Sequence, residues 1–511
     1  MKVRYYLAVA LMCGLMPAAA QETYENANIA TGDLNGTARY VGMGGAMDAL
    51  GADISTIATN PAGIGLFRHS TASMSFGLVS QDGAEDFSTG NKTNLSFDQI
   101  GFVYSNRLGR SSFVNFGFNY HKSRNFNHIL KAAGRMAAGA SQNKMSYNKG
   151  VAAAENGWDF VEIKDDEVIS NDLAYSVTDY LYYNTILYNP LIDPNGKDIY
   201  HSERYMMDRA SKGYIGEYDF NISGNINDRV YLGLTVGLHD VHYKSYSEYA
   251  ELRPNHEGLG GTLLEDSREI TGLGFDLKAG VIFRPFENSP FRIGMSIATP
   301  TWYDLTTRNY TTLLIDDTNA NPETYRGLGS LSLSESYDFK LYTPWRFGLS
   351  LGHTIGNYLA LGASYEYADY GNETSVSDEW MNEHTKNTLK GVSTLKLGAE
   401  FKPDPAIAVR LGFNYVSPMY EKNGMKDGTL DSYGVMYQSA TDCTNWKDTY
   451  RVTAGIGYRI DKLSLDLAYQ YSQTDGTFRP FTDVLDASNV ADAVDISNKR
   501  NQLLFTVGYT F

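Results

Sequence analysis

The chain predicts an all-β fold, a 14-stranded antiparallel transmembrane β-barrel with a small N-terminal hatch inside its lumen. Three observations predict it. From Thr71 onward apolar and polar residues alternate over segments near ten residues or longer, the length a tilted strand needs to cross a bilayer (about 9–11 residues), and the apolar faces often end in Tyr. The links between successive segments are sorted, short after one strand and long after the next. Finally, 38 Tyr and 49 Gly accompany only 20% charged residues, and past the first twenty residues no apolar run is long enough for a membrane-spanning helix.

The first element is a leader. Lys2 and Arg4 precede an apolar stretch from Tyr5 to Leu15, and Ala18, Ala19 and Ala20 give a small-residue cleavage site before Gln21, the plan of a secretory signal peptide over residues 1–20. Its removal leaves 491 residues and, because it carries two basic and no acidic side chains, moves the net charge from -16 to -18. That acidity excludes a nucleic-acid partner, since phosphate neutralisation needs a basic surface. Cys13 lies in the leader, so Cys443 has no partner, is expected as an unpaired thiol in an external loop, and a disulfide scaffold is ruled out.

Residues 21–70 come next and do not alternate. Gly36 to Gly51 is built largely of small residues, and Asn60-Pro61-Ala62-Gly63 follows. Gly42, Gly44 and Gly45 are no phosphate loop, because the lysine and the strand-to-helix context are missing. A Gly- and Ala-rich segment packs tightly inside a narrow lumen, with Pro61 fixing a turn that Asn60 caps. Residues 21–70 are therefore expected as a hatch or plug, and residues 71–511 as the barrel.

The strands are expected near residues 71–80, 95–106, 111–121, 213–226, 230–245, 270–284, 291–304, 332–355, 358–370, 392–402, 407–420, 448–460, 463–472 and 500–511. In the last, Leu503, Phe505, Val507, Tyr509 and Phe511 share one face, opposite Leu504, Thr506, Gly508 and Thr510. Links after even-numbered strands are turn-like, such as Asn227-Asp228-Arg229, Gly356-Asn357 and Asp461-Lys462; the longest of the others is an external loop over 122–212. Short turns at one rim and long loops at the other characterise outer-membrane barrels. Asp276, Lys278, Arg346, Glu366, Lys396, Glu400, Arg410 and Asp466 are expected to face inward and pair across strands.

Together, Gly42-Met43-Gly44-Gly45-Ala46, the Asn60-Pro61-Ala62-Gly63 motif, Pro344-Trp345-Arg346 before Gly348, Arg451 to Tyr458, Leu465 to Tyr469 and the terminal Phe511 resemble the FadL/TodX family of outer-membrane transporters for hydrophobic compounds. The resemblance spans the mature chain. It implies that an apolar ligand collects at an external groove, enters the barrel, and leaves sideways into the membrane past a kinked strand after a shift of the hatch, which holds Gly42, Gly44, Gly45, Asn60, Pro61, Ala62 and Gly63. It also implies that Phe505, Tyr509 and Phe511 are similar to the signal read by barrel-assembly machinery. Expected partners are thus a hydrophobic small molecule such as a long-chain fatty acid, outer-membrane lipid and that machinery, around a monomer without a cofactor.

In the 122–212 loop, Phe126, Ile129, Leu130, Ala133 and Met136 fall at helical spacing, as do Leu173, Val177, Tyr180 and Leu181. They form either a self-packed lid or a capture groove, and Phe126, Ile129, Leu130, Met136, Leu173, Val177 and Leu181 are the groove candidates. No catalytic constellation or metal pair is legible: His239 and His242 fall on opposite strand faces. The acidic runs Asp165-Asp166-Glu167 and Asp316-Asp317 read as solvated loop charge. Some fifty residues are too few for the plug of a 22-stranded TonB-type receptor. Two other functions stay open: a porin for polar solutes, and a surface receptor or adhesin that displays the long loop.

Overall fold

The computed structural model describes residues 22–155, 162–164, 167–169, 176–182, 201–252, 261–316, 330–430 and 432–511. The expected leader, Leu173 and the Asp165-Asp166 pair lie outside them. Among the described residues no helix is long and apolar enough to cross a membrane, which says nothing against crossing by strands.

The wall is a closed antiparallel barrel of 14 strands. In chain order its segments are β1 (Thr71–Gln81), β2 (Thr93–Arg107), β3 (Phe113–Asn125) continued by β4 (His128–Arg135), β5 (Arg204–Ile226), β6 (Val230–Leu252) and β7 (Gly261–Phe283). The series goes on with β8 (Arg292–Ala298) continued by β9 (Trp302–Asp316), β10 (Ser330–Tyr342) continued by β11 (Arg346–Ile355), β12 (Leu359–Asp369), β13 (Gly391–Asp404), β14 (Ile407–Val416), β15 (Cys443–Ile460), β16 (Leu463–Arg479) and β17 (Val494–Thr510). Pairing of β1 with β17, from Thr71↔Thr510 to Gln81↔Arg500, closes the sheet, so no edge runs the length of the wall.

Alternation is carried into three dimensions. In β17, Leu503, Phe505 and Tyr509 are exposed on the outside, whereas Gln502, Leu504 and Thr506 are buried inside. The outer belt is apolar throughout, with Leu234, Leu273, Leu349 and Leu411 among its exposed residues, as expected of a wall whose solvent is lipid. The inner face is polar and paired. Arg410 donates to Glu400 and Asp466, each at 2.6 Å, and Lys278 lies 2.9 Å from Asp219 and 3.1 Å from Asp276.

Loop sorting follows from turn chemistry. Asn227, Asp228 and Asp461 take positive φ in the short links after β5 and β15, a region that Asn and Asp tolerate better than other side chains. At the opposite rim β5, β6 and β7 each run for 23 residues, well past the apolar belt, and carry a sheet extension outward. The helices α3 (Gln142–Glu155) and α4 (Val177–Tyr182) belong to the long loop at that rim.

Two expectations fail here. Residues 128–135 form strand β4 paired with β5, not a helix, because Ile129 and Leu130 are held by a sheet ladder that their i, i+3, i+4 spacing does not reveal. Cys443 is buried at the start of β15 and does not sit in an open loop.

Candidate functional site

The N-terminal segment threads the lumen from the loop rim to the turn rim. Helix α1 (Thr23–Ala30) lies among external loops. There, Thr23 Oγ1 is 2.9 Å from Thr385 Oγ1, and Tyr24 stacks on Tyr420 at 5.1 Å and donates to Asn445 at 2.8 Å. Thr37 opens the short helix α2 (Ala38–Gly42) by accepting from the Tyr40 N–H. At the other end Asn60 accepts from the Ala62 N–H, with Pro61 in the first helical position, where no N–H is needed. Asn115 donates to the carbonyls of Ile64 and Phe67 there, at 2.7 and 2.9 Å.

Close approach of backbone to wall explains the glycines. Gly44 has φ +62°, and a Cβ on it would come 2.8 Å from the Phe413 N. Charge fixes the register of the segment on the wall: Arg39 pairs with Glu400 at 3.0 Å, and Asp48 with Lys396 at 3.7 Å. Gly42, Gly44, Gly45, Asn60, Pro61 and Ala62 lie inside the barrel against its inner face, and Gly63 packs on Thr56 and Gly51 of the segment itself.

Above α2 the lumen keeps a cavity of about 490 Å³. Two guanidiniums on its lining share one acid, and a third beside them has none among the described residues. Arg124 is 3.3 Å and Arg500 is 3.9 Å from Asp33, while Arg451 donates to Asn414 at 2.8 Å and has no carboxylate within ion-pair distance among the described residues. The corner of the cavity around Asp33 is thus electropositive in an acidic protein.

The wall beside this cavity is broken. β2 and β3 pair from Arg107↔Phe113 up to Gln99↔His121 and then part. Each carries one extra residue at that level: the register of β2 against β1 shifts across Asp98, and that of β3 against β5 shifts across Ser123. Such bulges bend the two strands and end their ladder. Above them Asn94 to Asp98 face Lys122 to Asn127 without a strand pairing.

The N-terminal segment supplies the missing partners. The Asp33 N–H donates to the Ser123 carbonyl at 2.8 Å, and the Asn125 N–H donates to Asp33 Oδ2 at 2.9 Å. Asn35 Nδ2 donates to the Lys122 carbonyl at 3.0 Å and to Asp98 Oδ1 at 2.9 Å, and Lys122 Nζ reaches Ser96 Oγ at 2.6 Å. At the top Gln81 mimics a peptide unit, accepting from the Ile129 N–H at 2.8 Å and donating to its carbonyl at 2.7 Å. Side chains of a different segment therefore stand where a sheet ladder would be.

At the loop rim, Leu130, Met136, Val177 and Leu181 come together in one buried cluster with Tyr205, Tyr249 and Phe478. Ile129 is also buried, and Phe126 belongs to a second cluster with Ile29 and Ile215. In this structure these side chains pack as a closed lid. Phe505, Tyr509 and Phe511 face outward on the final strand, and the Phe511 N–H donates to the Ser70 carbonyl at 2.9 Å. Sequence reasoning missed Asp33, Asn35, Asp98 and Ser123; the gap in alternation at Asp98-Gln99, two polar residues in succession, was the available signal.

No family model and no curated protein matches the chain. Solved structures do. A FadL homologue of Pseudomonas aeruginosa superposes with a TM-score of 0.51 at 13% identity, over 94% of this chain and 100% of its own. The toluene transporters TbuX of Ralstonia pickettii and TodX of Pseudomonas putida give TM-scores of 0.47 and 0.48 at 13% and 11% identity, each over 94% of this chain and 99% of theirs. The fold is that of a FadL-type barrel.

Proposed function

We propose, from the FadL-type barrel as premise, that this protein carries hydrophobic molecules across an outer membrane by passive diffusion, with residues 21–70 as hatch and the break between β2 and β3 as a lateral exit to lipid. The observation that carries this reading is the wall break itself, which borders the lumen cavity and is closed by Asp33 and Asn35 of the N-terminal segment. A ligand leaving there never has to pass the filled lower lumen. A porin for polar solutes needs an open lumen, and the segment packed between Arg39–Glu400 and Asn115 argues against one.

Arg124, Arg451 and Arg500 support a ligand with an anionic head, a long-chain fatty acid being the simplest, because a carboxylate would pair with cations of which two share a single acid. The lid at the rim, whose apolar side chains are buried against one another, then has to open before such a ligand meets them. Binding of oleate and of its methyl ester to the purified barrel tests the ligand class: oleate should bind at least tenfold tighter, and Arg451→Gln with Arg500→Gln should erase the difference. Equal affinities for acid and ester in the unaltered protein would remove the fatty-acid reading. Uptake of oleate by cells carrying the barrel, with planar-bilayer conductance near baseline, separates transport from an open pore and from surface display.

A further inference from the structure

Below the cavity, four successive wall stretches place an unusual set of side chains on one inner patch. His121 of β3 stands directly opposite Glu217 of β5, and Glu217 opposite His239 of β6. Asp219 lies two residues along β5, on the same face, and Asp276 and Lys278 of β7 face the same point across Gly237. All six are at least nine-tenths buried.

Their oxygens divide into two sets. Lys278 takes one oxygen of each carboxylate: Asp219 Oδ1 at 2.9 Å, Asp276 Oδ1 at 3.1 Å, and Glu217 Oε1. The second oxygen of each faces an imidazole. His121 Nε2 is 3.5 Å from Glu217 Oε2, and His121 Nδ1 is 3.5 Å from Asp219 Oδ2. His239 Nδ1 is 3.8 Å from Glu217 Oε2, and His239 Nε2 is 3.4 Å from Asp276 Oδ2.

Those separations are too long for hydrogen bonds, and neither ring nitrogen of His239 has a hydrogen-bond partner among the described residues. One ligand atom from each of Glu217, His239 and Asp276 lies within 4.8 Å of the other two, close enough for one ion to be shared among them. Charge agrees. Three carboxylates against Lys278 leave two negative charges, and the next cation, Arg346, is 3.5 Å from Asp276. Glu217 and His121 line the cavity, so an ion has a route in.

We infer that this patch is a binding site for a divalent transition-metal ion of the zinc class, held by Glu217, His239 and Asp276. The set of N and O donors suits zinc better than calcium or magnesium, which prefer oxygen alone. An ion there ties together β5, β6 and β7, next to β3 with its Ser123 bulge.

The test is stoichiometric zinc binding by the folded full-length barrel in detergent, stripped with chelator and titrated with Zn²⁺ alone. One ion per chain is expected. His239→Gln should weaken it at least tenfold, and His242→Gln, a half-exposed residue paired with Asp240 at 2.9 Å, should not. Absence of zinc uptake by the unaltered barrel, or uptake by His239→Gln equal to that of the unaltered barrel, overturns the assignment. If the variants do not fold, Co²⁺ bound to the unaltered barrel decides: intense visible absorption of a tetrahedral site supports it, and weak octahedral bands overturn it.

Discussion

Asn35→Ala tests the idea that a segment from outside the sheet closes the wall. Asn35 makes three hydrogen bonds at the break: to the Lys122 carbonyl at 3.0 Å, to Asp98 Oδ1 at 2.9 Å, and from Gln502 Nε2 at 3.2 Å. A neutral hydrogen bond contributes about 1 kcal/mol and one to a carboxylate about 1.5–3 kcal/mol, but the cavity gives water access to the freed groups. The net loss is then about 3 kcal/mol, roughly a hundredfold in the population of the open state. Hydrogen exchange reads this directly, because exchange through local opening scales with that population. The Asp33 N–H, which donates to the Ser123 carbonyl, and the Asn125 N–H, which donates to the Asp33 carboxylate, should exchange up to about a hundredfold faster, with the β1–β17 ladder unchanged. Unchanged protection at Asp33 and Asn125, or a uniform loss around the whole barrel, would refute the reasoning.

Three further outcomes follow from the same structure. Arg410→Met leaves Asp466 without its cation and Glu400 with only Arg39 and the more distant Lys402, so urea unfolding in lipid vesicles should show a loss of about 3–5 kcal/mol. Leu234→Arg, on the outer belt where Leu234 is 60% exposed, should cost about 2–4 kcal/mol in a bilayer and almost nothing in a water-exposed wall. At the loop rim, far beyond the belt, burial pushes the Glu251 carboxyl up to about 7 while it accepts from the Gln142 N–H at the start of α3. A raised acid pKa means that the folded state favours the neutral form: docking of α3 is strongest below about pH 4.5 and weakens as pH rises to about 7, by about 3 kcal/mol in all. Proteolysis of α3 should therefore speed up from pH 5 to pH 7.5, and Glu251→Gln should abolish that dependence.

How much of this was legible beforehand differs by scale. Strand positions at the turn rim were read within a few residues, for example 407–420 against Ile407–Val416, because inside-outside alternation is local and each residue's face depends only on its parity. The loop-rim ends were read short, as with 213–226 against Arg204–Ile226 and 270–284 against Gly261–Phe283, since the sheet extension continues past the apolar belt that sets the alternation. The turn rim was legible for the same reason: Asn227-Asp228 and Asp461 mark positive φ by residue type. Lid residues were less so. Val177 and Leu181 lie on a helix as their spacing suggests, but Ile129 and Leu130 lie on a strand, since short apolar runs fit both periods.

By itself the sequence determined the barrel, its strand number, which residues face lipid and which face the lumen, and which rim carries the loops. Only the tertiary structure decided where the wall parts, that Asp33 and Asn35 meet Ser123 and Lys122 there, and that His121 and His239 converge on Glu217. The physical reason is that a closed barrel couples its strands through register. A single extra residue, Asp98 in one strand or Ser123 in another, changes which partners lie opposite. Periodicity along one strand carries no record of the stagger between strands, and it is the stagger that brings distant residues into one site.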